Sequence, residues 1–129
     1  MKQLIKHILK EQTGGNYKVD EFPFGDFIVY VGKNAESNEY LTFELADKMD
    51  LWFHAKDYPG SHVVLSLNGL YPGDDAITFS ASLAKNYSKG KDKEIIEVVF
   101  CRVGEIYKTD DMGLGQVDVH PSKLRQIKV

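Results

Sequence analysis

Two histidines separated by seven residues, His54 and His62, are the side chains with the clearest capacity for chemistry. Imidazoles serve as metal ligands and as general bases. Asp50 or Asp57 can add a carboxylate, and such a set resembles a catalytic metal site with an open position. Ser61, His62 and Asp57 also include the residue types of a hydrolytic triad. One interpretation is therefore a small metal-dependent or hydrolytic enzyme.

The wider motifs argue against an enzyme. The sequence contains neither the Gly-x-Ser-x-Gly nucleophile elbow nor the helical His-Glu-x-x-His zinc motif. Gly113-Leu-Gly115 lacks the third glycine of a dinucleotide-binding loop. Cys101 is the only cysteine, which excludes an intrachain disulfide and a cysteine-based zinc site. We therefore predict no catalytic residues, no metal ion and no cofactor.

A nucleic-acid interpretation uses more of the sequence. Lys56, Ser61 and His62 can donate hydrogen bonds to phosphate, and Tyr58 and Tyr87 offer rings for base stacking. A cluster of lysines follows downstream: Lys85, Lys89, Lys91 and Lys93. Unpaired RNA is recognised by such mixtures of cations, donors and aromatic faces. A solvated lysine-rich loop explains the cluster equally well on pattern alone.

A β-hairpin is predicted to position the two histidines. Leu51–Ala55 and residues 63–67 are apolar runs rich in β-forming side chains. The polar loop between them contains Pro59-Gly60, the pattern of a type II turn with a positive φ at glycine. The sequence therefore predicts two strands joined by a six-residue loop, residues 56–61.

Strand alternation assigns the hairpin side chains to two faces. Leu51, Phe53 and Ala55 share an apolar face that should meet the core. The other face carries Trp52 and His54, together with His62 and Ser66 from the second strand. This second face is either a binding surface or a second layer of core around the tryptophan, and we predict that Trp52 supports the fold more than it binds.

The remaining elements predict an α/β fold of mixed α+β type. Residues 1–15 are predicted to form a short amphipathic helix, and residues 16–129 are predicted to form one domain. Asn34 caps a helix over residues 35–45, and Asp74 or Asp75 caps another that runs to about Ser88 and ends near Gly90. Further strands are predicted at residues 17–19, 27–31, 95–103, 116–119 and 124–129. Residues 21–26 are predicted to connect the first two of these strands, and Ile106 and Tyr107 to extend the third. The total is about seven strands in a mixed sheet and about three helices.

Charge is distributed unevenly along the 129 residues. The formal net charge is −3, which argues against a globally basic binder. Residues 1–84 carry seven Lys/Arg and twelve Asp/Glu, a net charge of −5, whereas residues 85–129 carry nine and seven, a net charge of +2. The sequence has no apolar run long enough for a membrane span or a secretory leader, so we predict a cytoplasmic protein that does not bind membranes.

Three blocks of the sequence resemble one known family. They are Val31-Gly-Lys-Asn-Ala-Glu-Ser-Asn-Glu-Tyr-Leu-Thr42, then Asp50-Leu-Trp-Phe-His-Ala-Lys-Asp-Tyr-Pro-Gly-Ser-His-Val-Val64, then Ala84-Lys-Asn-Tyr-Ser-Lys89. In this order they are similar to the NFACT-R domain of the large ribosome quality control proteins, also known as fibronectin-binding proteins. The likeness spans about residues 27–129, and the segment of residues 107–115 departs from it, because Asp110 and Asp111 stand where the family has a more basic loop.

The resemblance implies a stand-alone RNA-binding domain of the translation machinery. Its expected partners are transfer or ribosomal RNA and the large ribosomal subunit, in translation or ribosome quality control. A protein-interaction module that docks through the N-terminal helix remains an alternative. Pattern and resemblance together predict these RNA-binding residues: Lys33, Asn34, His54, Lys56, Asp57, Ser61, His62, Lys85, Tyr87, Lys89, Lys91 and Lys93.

Overall fold

The computed structural model describes residues 18–129, so the predicted helix of residues 1–15 lies outside the described residues. The strands are β1 (Val19–Phe24), β2 (Phe27–Gly32), β3 (Leu51–Ala55), β4 (Val63–Ser66), β5 (Glu97–Arg102), β6 (Ile106–Tyr107), β7 (Asp118–Val119) and β8 (Arg125–Lys128). The helices are α1 (Ala35–Tyr40), continued by a π-helical segment (Leu41–Leu45), and α2 (Asp74–Asn86). Short 3-10 turns occupy Val103–Glu105 and Pro121–Lys123.

Six of the strands form one sheet in the order β1-β2-β4-β3-β5-β8. Every pair in this sheet is antiparallel. β6 and β7 form a separate antiparallel pair. The predicted α+β class is confirmed, with eight strands and two α-helices within residues 18–129. The sheet is antiparallel, whereas a mixed sheet was predicted. No helix in this part of the chain is long and apolar enough to cross a membrane.

The predicted hairpin is confirmed, with Leu51 opposite Leu65 and Phe53 opposite Val63. The predicted type II turn is wrong, because the positive φ of the loop, 66°, belongs to Asp57 and not to Gly60. Glycine is required at position 60 for another reason. A Cβ there would lie 2.8 Å from the Cβ of Ser88, so a larger residue would separate the two loops that meet at this point. We call residues 56–62 the hairpin loop.

The two faces of the sheet carry two separate cores, as strand alternation predicts. One face packs against α2 and includes Phe53, Val63, Leu65, Ala81 and Ala84, all fully buried. The opposite face packs against α1 and its π-helical continuation, through the side chains Tyr30, Tyr40, Leu41, Leu45, Trp52, Val64 and Cys101. The face that carries Trp52 is therefore a second layer of core.

The predicted boundaries of two strands are wrong. Residues 21–24 belong to β1, where Pro23 is tolerated because β1 is an edge strand. Ile106 and Tyr107 pair with β7 and do not extend β5, because the turn Val103–Glu105 redirects the chain.

The predicted ends of α2 also need correction. Its N-cap is Gly73, which has no capping side chain, whereas Asp74 and Asp75 lie inside the first turn. The helix ends at Asn86, so Gly90 is not its C-terminal cap residue. Gly90 instead lies against the ring of Tyr58, where an added Cβ would approach a ring carbon to 2.9 Å.

Candidate nucleic-acid interface

The hairpin loop and the segment that follows α2, residues 87–93, are joined through their backbones. The Ser61 N–H donates to the Tyr87 carbonyl at 3.2 Å, and the Lys89 N–H donates to the Pro59 carbonyl at 2.9 Å. We call residues 87–93 the lysine segment. The two parts of the chain that the sequence predicts to bind RNA are therefore held side by side.

The start of α1 supplies the third wall of the site. The Asn34 side-chain oxygen accepts the Ser37 N–H at 2.8 Å, and the Ser37 hydroxyl oxygen accepts the N–H groups of Lys33 at 2.8 Å and Asn34 at 3.0 Å. This reciprocal capping box confirms Asn34 as the N-cap. The Asn34 side-chain oxygen is therefore occupied by a hydrogen bond within the helix. The capping box also holds the backbone of Lys33 in place. Asn38 joins this wall to the hairpin loop, because its side-chain oxygen accepts the His62 N–H at 3.1 Å.

These three walls, together with residues 114–116, line an open cleft of about 680 Å³. Six of the twelve predicted RNA-binding residues line it: Lys33, Asn34, Ser61, Tyr87, Lys89 and Lys91. Sequence reasoning missed further lining residues, among them Asn38, Asn86, Asp92, Leu114, Gly115 and Gln116. The cleft therefore combines three lysines with amide groups, a hydroxyl and an aromatic ring.

Asp20 moderates the positive charge of the cleft. Its carboxylate accepts the Tyr87 hydroxyl at 2.9 Å and lies 3.5 Å from the Lys33 ammonium. Burial and then the Asp20 carboxylate raise the pKa of Tyr87, so its hydroxyl remains protonated. The Lys33 and Asp20 side chains are 45% and 36% exposed, so this ion pair contributes little to stability. It does lower the net charge that Lys33 presents to an anion.

The other predicted cations do not line the cleft. The Lys85 ammonium donates to the Glu94 carbonyl at 2.9 Å, and the Lys56 ammonium lies 3.3 Å from the Glu97 carboxylate. Asp57 and Lys93 are exposed outside it. The lysine cluster of the sequence is therefore divided, with Lys89 and Lys91 on the cleft and Lys85 and Lys93 away from it.

His54 and His62 line a second cavity of about 440 Å³ that adjoins the cleft. Their ring centroids lie 5.8 Å apart, so they share a face of the hairpin as predicted. The cavity lining consists of Trp52, His54, His62, Met112, Gly115, Gln116 and Val117. We call it the imidazole cavity, and it shares Gly115 and Gln116 with the cleft.

Both imidazoles are neutral at pH 7. Burial lowers the pKa of His62 to about 4, and the neighbouring His54 adds to this effect. Its Nδ1 lies 2.7 Å from the Thr42 hydroxyl. Burial also lowers the pKa of His54, although hydrogen bonds to the backbone of Ala55 and Gly60 oppose the shift. Neither ring therefore offers the phosphate-binding charge that an imidazolium would supply.

The carboxylates proposed for a metal site or a triad are not placed beside these rings. The Asp50 carboxylate accepts the N–H groups of Asp47 at 2.9 Å and Leu67 at 3.0 Å. Asp50 comes just before the first residue of β3, whereas the hairpin loop follows the last residue of that strand. Asp57 is exposed and does not line the imidazole cavity. Within residues 18–129 no group of three or more His, Cys, Asp or Glu residues is placed to hold a metal ion.

The depressed pKa of His62 predicts a loss of stability in mild acid. The unfolded chain takes up a proton near pH 6.5, whereas the folded chain takes it up only near pH 4. Between these values the unfolded state binds the proton more readily than the folded state. Protonation of this group should therefore lower the free energy of unfolding by about 3 kcal/mol as the pH falls through this range. Urea unfolding across this range measures the effect, and His62→Asn should reduce the slope. An equal slope in His62→Asn would contradict the assignment to His62.

The match to known proteins covers the whole of this arrangement. A family model for the NFACT protein RNA-binding domain matches residues 20–121, from β1 to the turn before β8. The chain belongs to this family. The predicted NFACT-R resemblance is therefore confirmed, and it begins in β1, slightly before the expected start. The matched range includes every residue that lines the cleft and the imidazole cavity.

Several relatives of this NFACT domain are known. It is 48% identical over 106 residues to the Rqc2 homolog RqcH of Streptococcus pneumoniae, a match that covers 81% of this chain and 19% of that protein. The corresponding protein of Bacillus subtilis is 39% identical over 80 residues, or 62% of this chain and 14% of that protein. The chain thus matches less than a fifth of the length of these relatives.

A solved structure has the same fold as this NFACT domain. The C-terminal part of the fibronectin/fibrinogen-binding protein from Streptococcus suis superimposes with a TM-score of 0.80 at 30% identity. The match covers 98% of this chain and 55% of that structure.

One loop lines both the imidazole cavity and the cleft. Residues 108–117, which we call the covering loop, are fixed to α1 through Glu39. Its carboxylate accepts the Lys108 ammonium at 2.7 Å and the Gly115 N–H at 2.9 Å. Burial alone would raise the pKa of Glu39, but these hydrogen bonds outweigh it and lower the pKa. The acidic Asp110 and Asp111 are exposed on this loop.

Proposed function

We propose that this NFACT domain binds RNA along the cleft, with Lys33, Lys89 and Lys91 facing phosphates and Ser61 and Tyr87 contacting the chain between them. The observation that carries the proposal is the convergence of these residues from three separate segments on one concave surface. A cationic groove with an aromatic side chain and hydroxyl donors suits an RNA backbone with accessible bases. Membership of the NFACT RNA-binding domain family supports the same function.

We further propose that the RNA is transfer or ribosomal RNA, that the large ribosomal subunit is the partner, and that the setting is ribosome quality control in the cytoplasm. The support is the similarity to the proteins named Rqc2 homolog RqcH, with identities of 39% to 48%. The domain acts in this proposal as a binding element and not as an enzyme.

Two measurements test the proposal. Fluorescence anisotropy with labelled transfer RNA, a ribosomal RNA fragment and a duplex DNA of equal length should show salt-dependent binding that favours RNA. Co-sedimentation with purified ribosomal subunits should place the protein with the large subunit in preference to the small one. Equal affinity for RNA and DNA, together with no preference between subunits, would contradict the proposal.

Asp20→Asn is expected to strengthen RNA binding. The amide oxygen can still accept the Tyr87 hydroxyl, while the negative charge beside Lys33 disappears. Because Lys33 then presents its full charge to a phosphate, the logarithmic salt slope should steepen by a fraction of the roughly 0.7 of one contact, and the affinity should rise about two- to threefold. Asp26→Asn, at an exposed residue outside the cleft, is the matched control. Equal gains in both variants would show that only net charge matters.

A further inference from the structure

We propose that the imidazole cavity takes one unpaired base of the bound RNA, and that the indole N–H of Trp52 donates a hydrogen bond to it. The proposal rests on the proposed function, because the base belongs to an RNA strand lying in the adjoining cleft. It adds a second, chemically different site to the phosphate contacts of the lysines.

The first observation is a buried donor without a partner. Within residues 18–129 the indole nitrogen of Trp52 is the only buried side-chain nitrogen or oxygen without a hydrogen-bond partner. Trp52 is 4% exposed and lines the imidazole cavity. Unpaired buried donors are destabilising and uncommon in native proteins, so each calls for an explanation. A ligand that brings an acceptor into the cavity supplies one.

The second observation is the shape of the cavity wall. The rings of Trp52 and His54 are nearly parallel, with an interplanar angle of 11°. His62 stands at 85° to Trp52 with 5.3 Å between ring centroids, so the three rings form an aromatic corner. Met112 and Val117 add apolar contact, and Gln116 adds an amide. A planar heteroaromatic ring with acceptors on its edge matches this lining.

The third observation is the charge of the lining. The cavity contains no lysine, arginine, aspartate or glutamate. Burial lowers the pKa of both imidazoles, which are neutral at pH 7. A phosphate would require a cation here, whereas a neutral base does not. The cavity and the lysine-lined cleft therefore suit the two chemically different parts of one nucleotide strand.

The fourth observation is the continuity of the two sites. Gly115 and Gln116 of the covering loop line both the cleft and the cavity, so a strand in the cleft passes directly beside the cavity. The indole nitrogen itself is shielded from solvent. A base must therefore displace part of the lining to reach it. We expect the covering loop to move, because it supplies Met112, Gly115, Gln116 and Val117 to the lining and is attached to α1 through Glu39 alone among the contacts described above.

The single tryptophan of the chain makes the test direct, because its indole N–H gives one signal in a proton–nitrogen correlation spectrum. The probes are oligouridine and oligoadenosine strands of about ten nucleotides, their duplex, and an abasic strand of equal length. The two single strands should shift the indole signal downfield and change Trp52 fluorescence. The duplex and the abasic strand should bind without either change.

Two variants separate the base site from the fold. Trp52→Phe keeps a buried ring but removes the N–H, and Met112→Phe fills the cavity from the covering loop. Each should weaken single-stranded RNA about five- to tenfold, with little effect on the duplex. Leu114→Phe changes the same loop at a position that lines only the cleft, and it should not discriminate between single-stranded and duplex RNA.

The outcomes distinguish the two proposals. If single strands bind by anisotropy while the indole signal stays unmoved and both phenylalanine variants keep the parent affinity, the base site is wrong and the RNA-binding cleft stands. If neither single-stranded nor duplex RNA binds, both the proposed RNA-binding function and the proposed base site are wrong.

Discussion

Replacing Lys33, Lys89 and Lys91 together by alanine is expected to weaken the binding of single-stranded RNA roughly 100-fold at about 0.1 M salt. All three lysines line the cleft. Each phosphate contact contributes about 0.7 to the logarithmic salt slope of single-strand binding, so three contacts contribute about two units. The same variant should therefore also flatten the slope by about two, which anisotropy titrations over a range of salt concentrations will measure.

The chain offers a matched control with the same change in net charge. Lys56, Lys85 and Lys93 do not line the cleft, and two of them are engaged by Glu97 and by the Glu94 carbonyl. Their triple replacement by alanine should weaken binding only about two- to threefold, because more distant exposed charges are screened by salt. If both triple variants lose affinity equally, binding follows overall charge and the cleft is not the interface.

The negative overall charge makes this local arrangement decisive. With a formal net charge of −3, the protein as a whole does not attract a polyanion. Asp20 and Asp92 further limit the positive field around the cleft. Affinity must therefore come from short-range contacts, which implies a modest salt slope and a larger share for base and hydroxyl contacts than in a basic nucleic-acid binder.

The parts of the fold that depend on local pattern could be predicted. Period-two alternation separated Trp52 from Phe53 and thus the two cores of the sheet. The Asn34 cap predicted one helix over residues 35–45, and the structure has α1 there, although the sequence did not indicate that Leu41–Leu45 would be π-helical. The type II turn at Pro59-Gly60 failed because Gly60 is required by its contact with Ser88, a constraint that the local sequence does not contain.

The site was only half predictable for the same reason. Lysines 85 to 93 are neighbours in sequence, but the helix end and the turn after it direct Lys85 to the Glu94 carbonyl and leave Lys89 and Lys91 on the cleft. The bond from Tyr87 to Asp20 spans 67 residues, and the bond from Gly115 to Glu39 spans 76. Such contacts depend on how distant helices, strands and loops pack together, which residue types alone did not determine.

Trp52→Ala is expected to lower the free energy of unfolding by about 3–5 kcal/mol. Trp52 is 4% exposed on β3, which lies between β4 and β5 in the sheet. Its strand partners are Val64 and Cys101, and its ring also contacts His54 and His62. Truncation leaves a large cavity that the antiparallel neighbours cannot close. Since small domains are stable by only about 5–15 kcal/mol, thermal unfolding should shift by more than about 10 °C.

Two further variants accompany Trp52→Ala: Tyr71→Ala is a surface control, and Trp52→Phe shows which part of the indole matters. Tyr71→Ala removes a ring that is 89% exposed and should change stability by less than about 0.5 kcal/mol. Trp52→Phe should cost about 1.5 kcal/mol or less, because the smaller ring loses some packing but also removes the unpaired N–H. An unchanged melting temperature in Trp52→Ala would mean that the ring is not part of the core. A Trp52→Phe protein as unstable as Trp52→Ala would mean that the indole N–H already has a structural partner, which would remove the reason to assign it to a base.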